Sequence, residues 1–386
     1  MVGDSVSSEW GRALINRRKV LRDAAILLAT GAAAACAAPR ATVATAASGS
    51  IAWEHRADGA VRGLRYGQDG VVVETDAVLT GLDLQGGREL WRLPIATTGI
   101  GHGSCLWIGA LVVCETEPDT GGQRAVALDL ATGQRKWSFD APEGNVLEGA
   151  FGVRDWVLYL IASGHGKSTR EVWAVDMRTK TVRWRSPSET EELYVPDTGS
   201  LIYTRSPGAG GDIAALDLAT GATVWSRAGD PGVYATAVGS GLVGGAVLVS
   251  DGVHTVSGLD PKTGAALWST PALSYPTDTV FGSGDAYYLC DGAKLHAMNP
   301  DGSASPLWSL TLAASGTAVR AGGYAAGATF YLLAARTLRA IDAHSSKVRW
   351  MQSIPDGDGS AVPFAIGETH CYVQSGDGTG VVALMR

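Results

Sequence analysis

This 386-residue chain contains few residue patterns that are typical of a catalytic or ligand-binding site. Gly166-Lys167-Ser168 has the last three residues of a phosphate-binding loop, but the glycine required five residues earlier is replaced by Ile161. The seven histidines are scattered, and none stands at a metal-ligand spacing from another histidine or from a cysteine. No Gly-x-Ser-x-Gly nucleophile elbow is present in the sequence. We therefore expect no catalytic residues and no metal ligands.

The residues that do recur at a fixed spacing are Asp and Trp. An apolar residue, an Asp, a turn ending in Gly and a Trp eight residues after the Asp return about every 40 residues. Such a period is typical of a propeller or solenoid. The Asp can accept hydrogen bonds from the backbone of the turn, and the Trp ring can fill a gap between repeats. These structural positions are Trp53, Asp83, Trp91, Asp129, Trp137, Asp176, Trp184, Asp217, Trp225, Asp260, Trp268, Trp308, Asp342 and Trp350.

Three turns depart from the pattern in ways that a turn tolerates. Lys180 and Ser346 stand where the other turns have Gly, and Asn299 replaces Asp with one inserted residue before Trp308. We interpret these as turn variants within complete repeats.

Each repeat is predicted to contain four short strands, which in the second repeat are residues 103–108, 111–114, 124–130 and 135–139. Seven units are complete, and two strands remain at the chain ends, a fourth strand at 51–55 and a third strand at 380–385. Joining them closes the ring without leaving an open edge. The predicted fold is all-β, an eight-bladed β-propeller of four-stranded antiparallel blades, closed by the N-terminal strand completing the last blade.

Two of the five cysteines are placed for a disulfide. Cys105 and Cys114 flank the predicted Gly109-Ala110 turn symmetrically. In a two-residue hairpin they fall on a non-hydrogen-bonded pair, where side chains of opposite strands are closest. We predict a cross-strand disulfide, with two unpaired thiols as the alternative. Cys290 and Cys371 lie in blades that are not neighbours and are left unpaired.

The motif Leu-Asp-x-x-Thr-Gly-x-x-x-Trp, present at 128–137, 216–225 and 259–268, resembles the repeat of the pyrroloquinoline-quinone (PQQ) type propellers. The resemblance extends over nearly all of residues 51–386. That superfamily contains quinoprotein alcohol dehydrogenases, propeller lipoproteins of outer-membrane assembly and sensor domains of bacterial kinases. The resemblance therefore implies the fold and leaves the activity open.

The catalytic members of this superfamily add features that this chain lacks. They have an adjacent Cys–Cys pair near the quinone, carboxylate and amide ligands for calcium or a lanthanide, and long loop insertions. This sequence has no adjacent cysteines, and blades of about 40 residues leave hardly any insertion. We predict that the protein is not an enzyme and needs no cofactor. The alternative is a PQQ-dependent oxidoreductase or small-molecule binder that uses PQQ with calcium in the central funnel.

Residues 1–36 are interpreted as an export signal. Arg17 and Arg18 precede an Ala/Leu-rich run at 24–35, which resembles the twin-arginine signal, with an amphipathic helix as the alternative. Small residues before Cys36 resemble a lipobox, although Ala33 stands where Leu or Val is usual. Lipidation of Cys36 would anchor the protein at the outer face of the cytoplasmic membrane. Cleavage near 44–47 would instead give a secreted or periplasmic protein. Residues 37–50 are predicted to form a flexible tether.

The charge of the chain disfavours nucleic acid as a partner. The formal net charge is −7, and removing residues 1–36, which carry a net +2, would take it to −9. No long basic run follows the signal. We expect contact with a membrane only through an N-terminal lipid anchor.

The loops that are least regular lie at one rim of blades two to four. They are the connections after the second strand of each of these blades, together with the connection between blades three and four. Loops of this kind concentrate function in scaffold proteins, and their mixed charge fits a protein or peptide partner in the cell envelope. The alternative is a set of solvated loops without a role. The candidate partner-binding residues are Glu115, Glu117, Asp119, His165, Lys167, Arg170, Glu191, Glu192, Tyr194 and Arg205.

Overall fold

Stretches rich in Val, Ile and aromatic residues alternate with turns containing Gly and Asp, and in a computed structural model these stretches form antiparallel β-strands. Within the described residues there is no helix. The structure describes residues 49–67, 69–94, 106–108, 111–116, 124–164, 170–190, 192–196, 199–206, 211–228, 242–243, 245–250, 255–270, 280–283, 286–291, 294–303, 305–312, 321–334, 337–354 and 364–386.

Each of the first four blades contains four consecutive strands in the order of the chain. They are blade 1, with β2 (Val61–Gly67), β3 (Gly70–Thr75), β4 (Val78–Leu82) and β5 (Glu89–Pro94); blade 2, with β6 (Leu106–Ile108), β7 (Leu111–Thr116), β8 (Arg124–Asp129) and β9 (Arg135–Asp140); blade 3, with β10 (Asn145–Arg154), β11 (Val157–Gly164), β12 (Arg170–Asp176) and β13 (Thr181–Pro187); and blade 4, with β14 (Glu192–Tyr194), β15 (Leu201–Arg205), β16 (Ile213–Asp217) and β17 (Thr223–Arg227).

Three further blades are built in the same way, and one sheet combines both ends of the chain. They are blade 5, with β18 (Leu242–Val243), β19 (Ala246–Ser250), β20 (Val256–Leu259) and β21 (Ala266–Ser269); blade 6, with β22 (Val280–Ser283), β23 (Ala286–Asp291), β24 (Lys294–Met298) and β25 (Pro306–Thr311); blade 7, with β26 (Ala321–Ala326), β27 (Thr329–Ala334), β28 (Thr337–Asp342) and β29 (Val348–Ser353); and the closing blade, with β30 (Phe364–Ile366), β31 (His370–Gln374), β32 (Gly380–Met385) and β1 (Ile51–Arg56).

The chain is an all-β propeller. Seven blades come from consecutive strands, and the closing blade brings the four-stranded sheets of the described residues to eight. The predicted pairing of the two chain ends is confirmed, because β1 runs antiparallel to β32 with Trp53 opposite Ala383. Gly49 and Ser50, which the sequence assigned to the tether, continue this pairing: Gly49 N–H donates to Met385 C=O (2.6 Å), and Met385 N–H donates to Ser50 C=O (2.8 Å).

The hydrophobic core of the described residues is divided into eight clusters, and each lies between two neighbouring blades. Leu158 and Trp173, for example, lie between blades 2 and 3 with almost no exposed surface. Because the strands are buried on both faces, their central positions are apolar without strict alternation. We call the contact between two adjacent blades a seam.

A β-bulge recurs where the third and fourth strands pair. The register shifts between Ala174 and Val175 in blade 3, and the other blades shift at the matching place. The extra residue on the outer strand is the one before the repeated Trp. It is a cation in blades 2, 3 and 7, and it pairs there with the Asp of its own turn: Lys136 with Asp129, Arg183 with Asp176 and Arg349 with Asp342.

Candidate functional site

The repeated Asp organises the turn between the third and fourth strands. In blade 4, Asp217 Oδ1 accepts hydrogen bonds from the N–H groups of Ala219 (3.1 Å) and Thr220 (2.9 Å). The Gly221 N–H donates to the Asp217 carbonyl (2.8 Å), which closes the turn. Asp83, Asp176 and Asp260 accept backbone bonds at the same two positions. The predicted role of Asp in the turn is therefore confirmed in these blades.

Bonds of this kind hold the side chains of Asp260 and Asp342 in the charged form. Hydrogen bonds from Arg349 and Ser345 lower the pKa of Asp342 to about 2. The N–H groups of Lys262 and Thr263 lower the pKa of Asp260. The carboxylates are thus satisfied within their own turns, and their shifted pKa values have a structural cause.

The two turns without glycine keep the glycine conformation. Lys180 and Ser346 both have φ near 59°, in the left-handed region where the Gly residues of the other turns lie. The interpretation of these residues as turn variants is therefore correct.

The repeated Trp links each blade to the next one. Trp91 Nε1 donates to Leu130 C=O of the following blade (2.6 Å), and Trp137 Nε1 donates to Met177 C=O (2.7 Å). The acceptor is the residue that follows the repeated Asp. The same bond is formed by Trp53, Trp184, Trp225 and Trp308. The repeated Trp thus lies between neighbouring blades, as predicted.

The glycine of each regular turn lies beneath the Trp of the preceding blade. A Cβ atom on Gly133 would stand 2.6 Å from the ring of Trp91, and one on Gly221 would stand 2.4 Å from Trp184. These glycines are required for two reasons, the positive φ and the absence of space under the ring.

A second periodic feature does not follow from the Asp–Trp spacing. In five blades a Tyr on the second strand pairs with an Ala on the third strand, which pairs with the repeated Trp on the fourth. In blade 4 this row is Tyr203, Ala215 and Trp225, and the two rings are 6.1 Å apart. The other tyrosines are Tyr159, Tyr288, Tyr331 and Tyr372. The small residue two positions before each Asp was the available signal.

Part of the predicted rim is described, and its members come together at one end of blades 3 and 4. Arg170 begins β12, and its Nε donates to Glu148 Oε2 (2.5 Å). The connection between the blades joins Arg170 to Arg205, because Ser188 N–H donates to the Arg170 carbonyl and the buried Thr190 hydroxyl donates to the Arg205 carbonyl. Glu192 pairs with Arg205 in the ladder.

Tyr194 differs from the other described rim residues. Its ring is half-buried and stacks on Tyr203 at 6.4 Å, packing against the core between blades 4 and 5. It supports the start of blade 4 as well as lying near the rim.

The remaining site predictions fall outside the described residues. These are Glu117, Asp119, His165, Lys167, Glu191, Cys36 and Cys105, together with the side chains of Glu115, Glu192 and Cys114. The backbone pairing of Ile108 with Leu111 agrees with the predicted hairpin. The disulfide itself stays a prediction. Cys371 is a free, buried thiol, and burial raises its pKa to about 12.

Clusters of metal-ligating side chains and membrane-spanning helices are absent from the described part of the chain. It contains no group of three or more His, Cys, Asp or Glu side chains that could hold a metal ion. It also contains no helix that is long and apolar enough to cross a membrane.

Comparison with known proteins gives a family match over most of the chain. A family model described as outer membrane protein assembly factor BamB matches residues 9–227 and 121–285. No curated protein sequence matches the chain.

Solved structures of low sequence identity share the fold. The computationally designed Ika8 protein is 15% identical, with a TM-score of 0.66 over 87% of this chain and 99% of its own. BamB from Moraxella catarrhalis is 17% identical, with a TM-score of 0.58 and the same coverage. Quinohemoprotein alcohol dehydrogenase ADHIIG from Pseudomonas putida HK5 is 14% identical, with a TM-score of 0.60 over 87% of this chain and 76% of its own. At these identities the likeness shows the fold alone.

Proposed function

The chain belongs to the family of outer membrane protein assembly factor BamB, and from this we propose that it is an exported, non-catalytic β-propeller that docks a protein or peptide partner in the cell envelope. The proposed route is twin-arginine export. The protein is then lipid-anchored through Cys36 or released as a secreted or periplasmic protein.

One observation favours a docking role over a site within the repeat. The Asp and Trp side chains that recur around the ring are engaged with their own turns and with the next blade, as in Asp217 with Thr220 and Trp91 with Leu130. Their periodicity is therefore explained by folding. Residues that differ from blade to blade are left to provide function, and the most uneven segments are the rim loops of blades 2 to 4.

The described part of this rim is held firmly enough to serve as a platform. Arg170 is fixed by Glu148, and the connection between blades 3 and 4 is pinned through Ser188 and Thr190. A partner that binds there would meet an Arg170 side chain and a backbone that are already held in place, which lowers the entropic cost of association.

Site-specific photo-crosslinking in the source organism tests this proposal. A photoreactive residue placed at Arg170 or Glu192 is expected to capture one discrete envelope protein. The same residue at Thr220 or Thr263, at the opposite ends of their blades, is the matched control and should not capture that protein. Charge reversal at Glu191 and Glu192 should abolish the product from position 170. Equal capture from both ends of the propeller would contradict a rim site.

A quinoprotein is the second candidate, because the Pseudomonas putida dehydrogenase matches the same share of this chain as the Moraxella protein. Titration of the purified protein with PQQ and calcium, followed by absorbance and by dye-linked oxidation of alcohols and sugars, distinguishes the two functions. Stoichiometric binding with turnover would replace the docking proposal by catalysis in the central funnel. We expect neither binding nor turnover.

A further inference from the structure

Blade 3 contains an unusual concentration of strained turns. Four non-glycine residues in the described part of the chain have left-handed φ angles, and three of them, Asp155, Trp156 and Lys180, lie in two turns at the same end of blade 3. Asp155 and Trp156 connect β10 to β11 with both φ values positive, as in a type I′ turn. That turn favours Asn-Gly or Asp-Gly, so a Trp in its second position is unfavourable for the backbone.

The strained Trp is held against a cationic side chain. The Arg178 guanidinium lies 5.2 Å from the centre of the Trp156 ring. The Trp156 carbonyl accepts a hydrogen bond from Met177 N–H (2.8 Å), so the two turns are tied together. The ring is half-buried against the core between blades 2 and 3, and its remaining surface faces solvent beside Arg178.

The surroundings of Trp156 are positively charged in a chain whose net charge is −7. Trp137 Nε1 donates to Met177 C=O, which brings the start of β9 next to the Asp176 turn. Six cations therefore surround this end of blade 3 and its seam with blade 2, against the carboxylates of Asp129, Asp155 and Asp176 and that of Asp217 in the neighbouring turn of blade 4. We call the six the basic patch: Arg135, Lys136, Arg154, Arg178, Lys180 and Arg183.

The carboxylates occupy only part of the patch. Ion pairs engage Arg183 with Asp176 (2.6 Å), Arg154 with Asp155 (3.7 Å) and Lys136 with Asp129 (3.9 Å). Arg135, Arg178 and Lys180 are exposed. By contrast, the matching turn of blade 4, residues 217–223, contains Asp217 and no cation.

We propose that the basic patch with Trp156 is a second interaction surface, which binds an acidic, extended segment of a protein partner. Trp and Arg supply much of the binding energy at protein interfaces, and a guanidinium pairs well with a carboxylate. The contact with Arg178 and the tight turn hold the Trp156 ring in place before the partner arrives. Charge complementarity selects a segment rich in Asp or Glu, which the rest of this anionic protein repels.

This surface is separate from the rim of the proposed function. β12 begins at Arg170 in the rim and ends at Asp176 beside the basic patch, so the two surfaces lie at opposite ends of the same strand. The proposal for one surface can therefore fail its test without affecting the proposal for the other.

Fluorescence anisotropy of a short, fluorescein-labelled peptide of alternating Glu and Gly tests the proposal on the purified protein. We expect the peptide to bind, a Gln-Gly version not to bind, and binding to weaken strongly between low salt and about 0.5 M salt. Arg178→Glu combined with Lys180→Glu should lower the affinity by about tenfold or more. Lys262→Glu is the matched control for Arg178, because both residues stand two positions after the repeated Asp, and it should leave the affinity unchanged.

Trp156→Gly separates the ring from the turn. The change creates an Asp-Gly sequence suited to a type I′ turn, so the hairpin should form while the ring is lost. Circular dichroism should show a folded protein with peptide affinity reduced severalfold. Unchanged affinity for this variant and for the charge-reversed one would overturn the proposal. So would equal loss with Lys262→Glu, failure of the Glu-Gly peptide to bind, or binding to phosphatidylglycerol vesicles in place of the peptide.

Discussion

The seam between blades 1 and 2 and the seam between blade 7 and the closing blade contain the same ring contact, built in different ways. At the first seam, Trp91 lies on Gly133 of a continuous turn and donates to Leu130. At the closing seam, Trp350 lies on Gly49, which precedes β1 and also has a left-handed φ. The residue that precedes the N-terminal strand here occupies the place that a turn glycine has at the other seam.

Arg386 forms additional side-chain contacts at the closing seam, where no covalent turn joins the parts. Arg386 Nε donates to the Tyr331 hydroxyl of blade 7 (2.5 Å), and its Nη1 donates to Gly367 C=O of the closing blade (2.9 Å). Its guanidinium also lies over the Tyr331 ring. The ring is therefore closed by the backbone pairing of β1 with β32 and, at this seam, by ring packing and side-chain hydrogen bonds.

Removal of residues 49–56 should break the closing seam and have the largest effect. The deletion removes β1 with Trp53 and exposes the cores on both sides of the closing blade. The loss should exceed the roughly 3–5 kcal/mol expected for one buried Trp. Thermal unfolding followed by circular dichroism measures it. Deletion of residues 37–44, within the predicted tether, is the control of equal length, and an unchanged midpoint for the 49–56 deletion would contradict closure by β1.

Substitution of Trp91 should weaken a regular seam by a smaller amount. Trp91→Ala removes a buried ring and should cost about 3–5 kcal/mol. Trp91→Phe keeps most of the apolar contact but leaves the Leu130 carbonyl without its donor, which should cost about 1–3 kcal/mol. Urea unfolding of the two variants separates ring packing from the hydrogen bond. Equal losses would mean that the indole N–H contributes all of the effect.

Replacement of Gly133 and Gly49 by alanine should show how closely the Trp ring packs on the glycine at each seam. A Cβ atom on Gly133 would stand 2.6 Å from the Trp91 ring, whereas one on Gly49 would stand 3.1 Å from Trp350. Gly133→Ala should therefore be the more destabilising, by about 1–3 kcal/mol of overpacking. Gly144→Ala is the control for backbone strain, since Gly144 also has positive φ but no atom within 4 Å of the added Cβ. If all three variants lose the same stability in urea, the ring contact is irrelevant.

The sequence could predict the repeated Asp and Trp because these two residues belong to one hairpin of nearly constant length and so recur at a fixed spacing. The row of Tyr, Ala and Trp could not be predicted because the loop between the second and third strands varies in length. Tyr159 precedes Trp184 by 25 residues, whereas Tyr331 precedes Trp350 by 19. The role of Gly49 could not be predicted for a different reason, since its partner Trp350 is more than 300 residues away in the chain.

Predicting the candidate site was harder, because rim residues have no repeat to compare with. The bond from Arg170 to Glu148 crosses from the third strand to the first, and no local spacing encodes it. Tyr194 was predicted as a rim residue because it ends a polar segment, yet its ring packs on Tyr203. Trp156 lies outside the Asp–Trp repeat, and the sequence does not show that it sits in a tight turn.

The smallest expected effect concerns a turn in which glycine is missing. Ser346 stands at the glycine position of the blade 7 turn that packs against blade 6, and its φ is 59°. This conformation costs a non-glycine residue about 1–2 kcal/mol. Glycine would remove this strain, but the higher conformational entropy of the unfolded chain would cost about 0.5–1 kcal/mol of stability. Ser346→Gly should therefore stabilise the protein by about 1 kcal/mol or less, seen as a higher urea midpoint with unchanged slope. Lys180→Gly should act in the same direction, whereas stabilisation by Gly327→Ala, at another positive φ, would contradict this account.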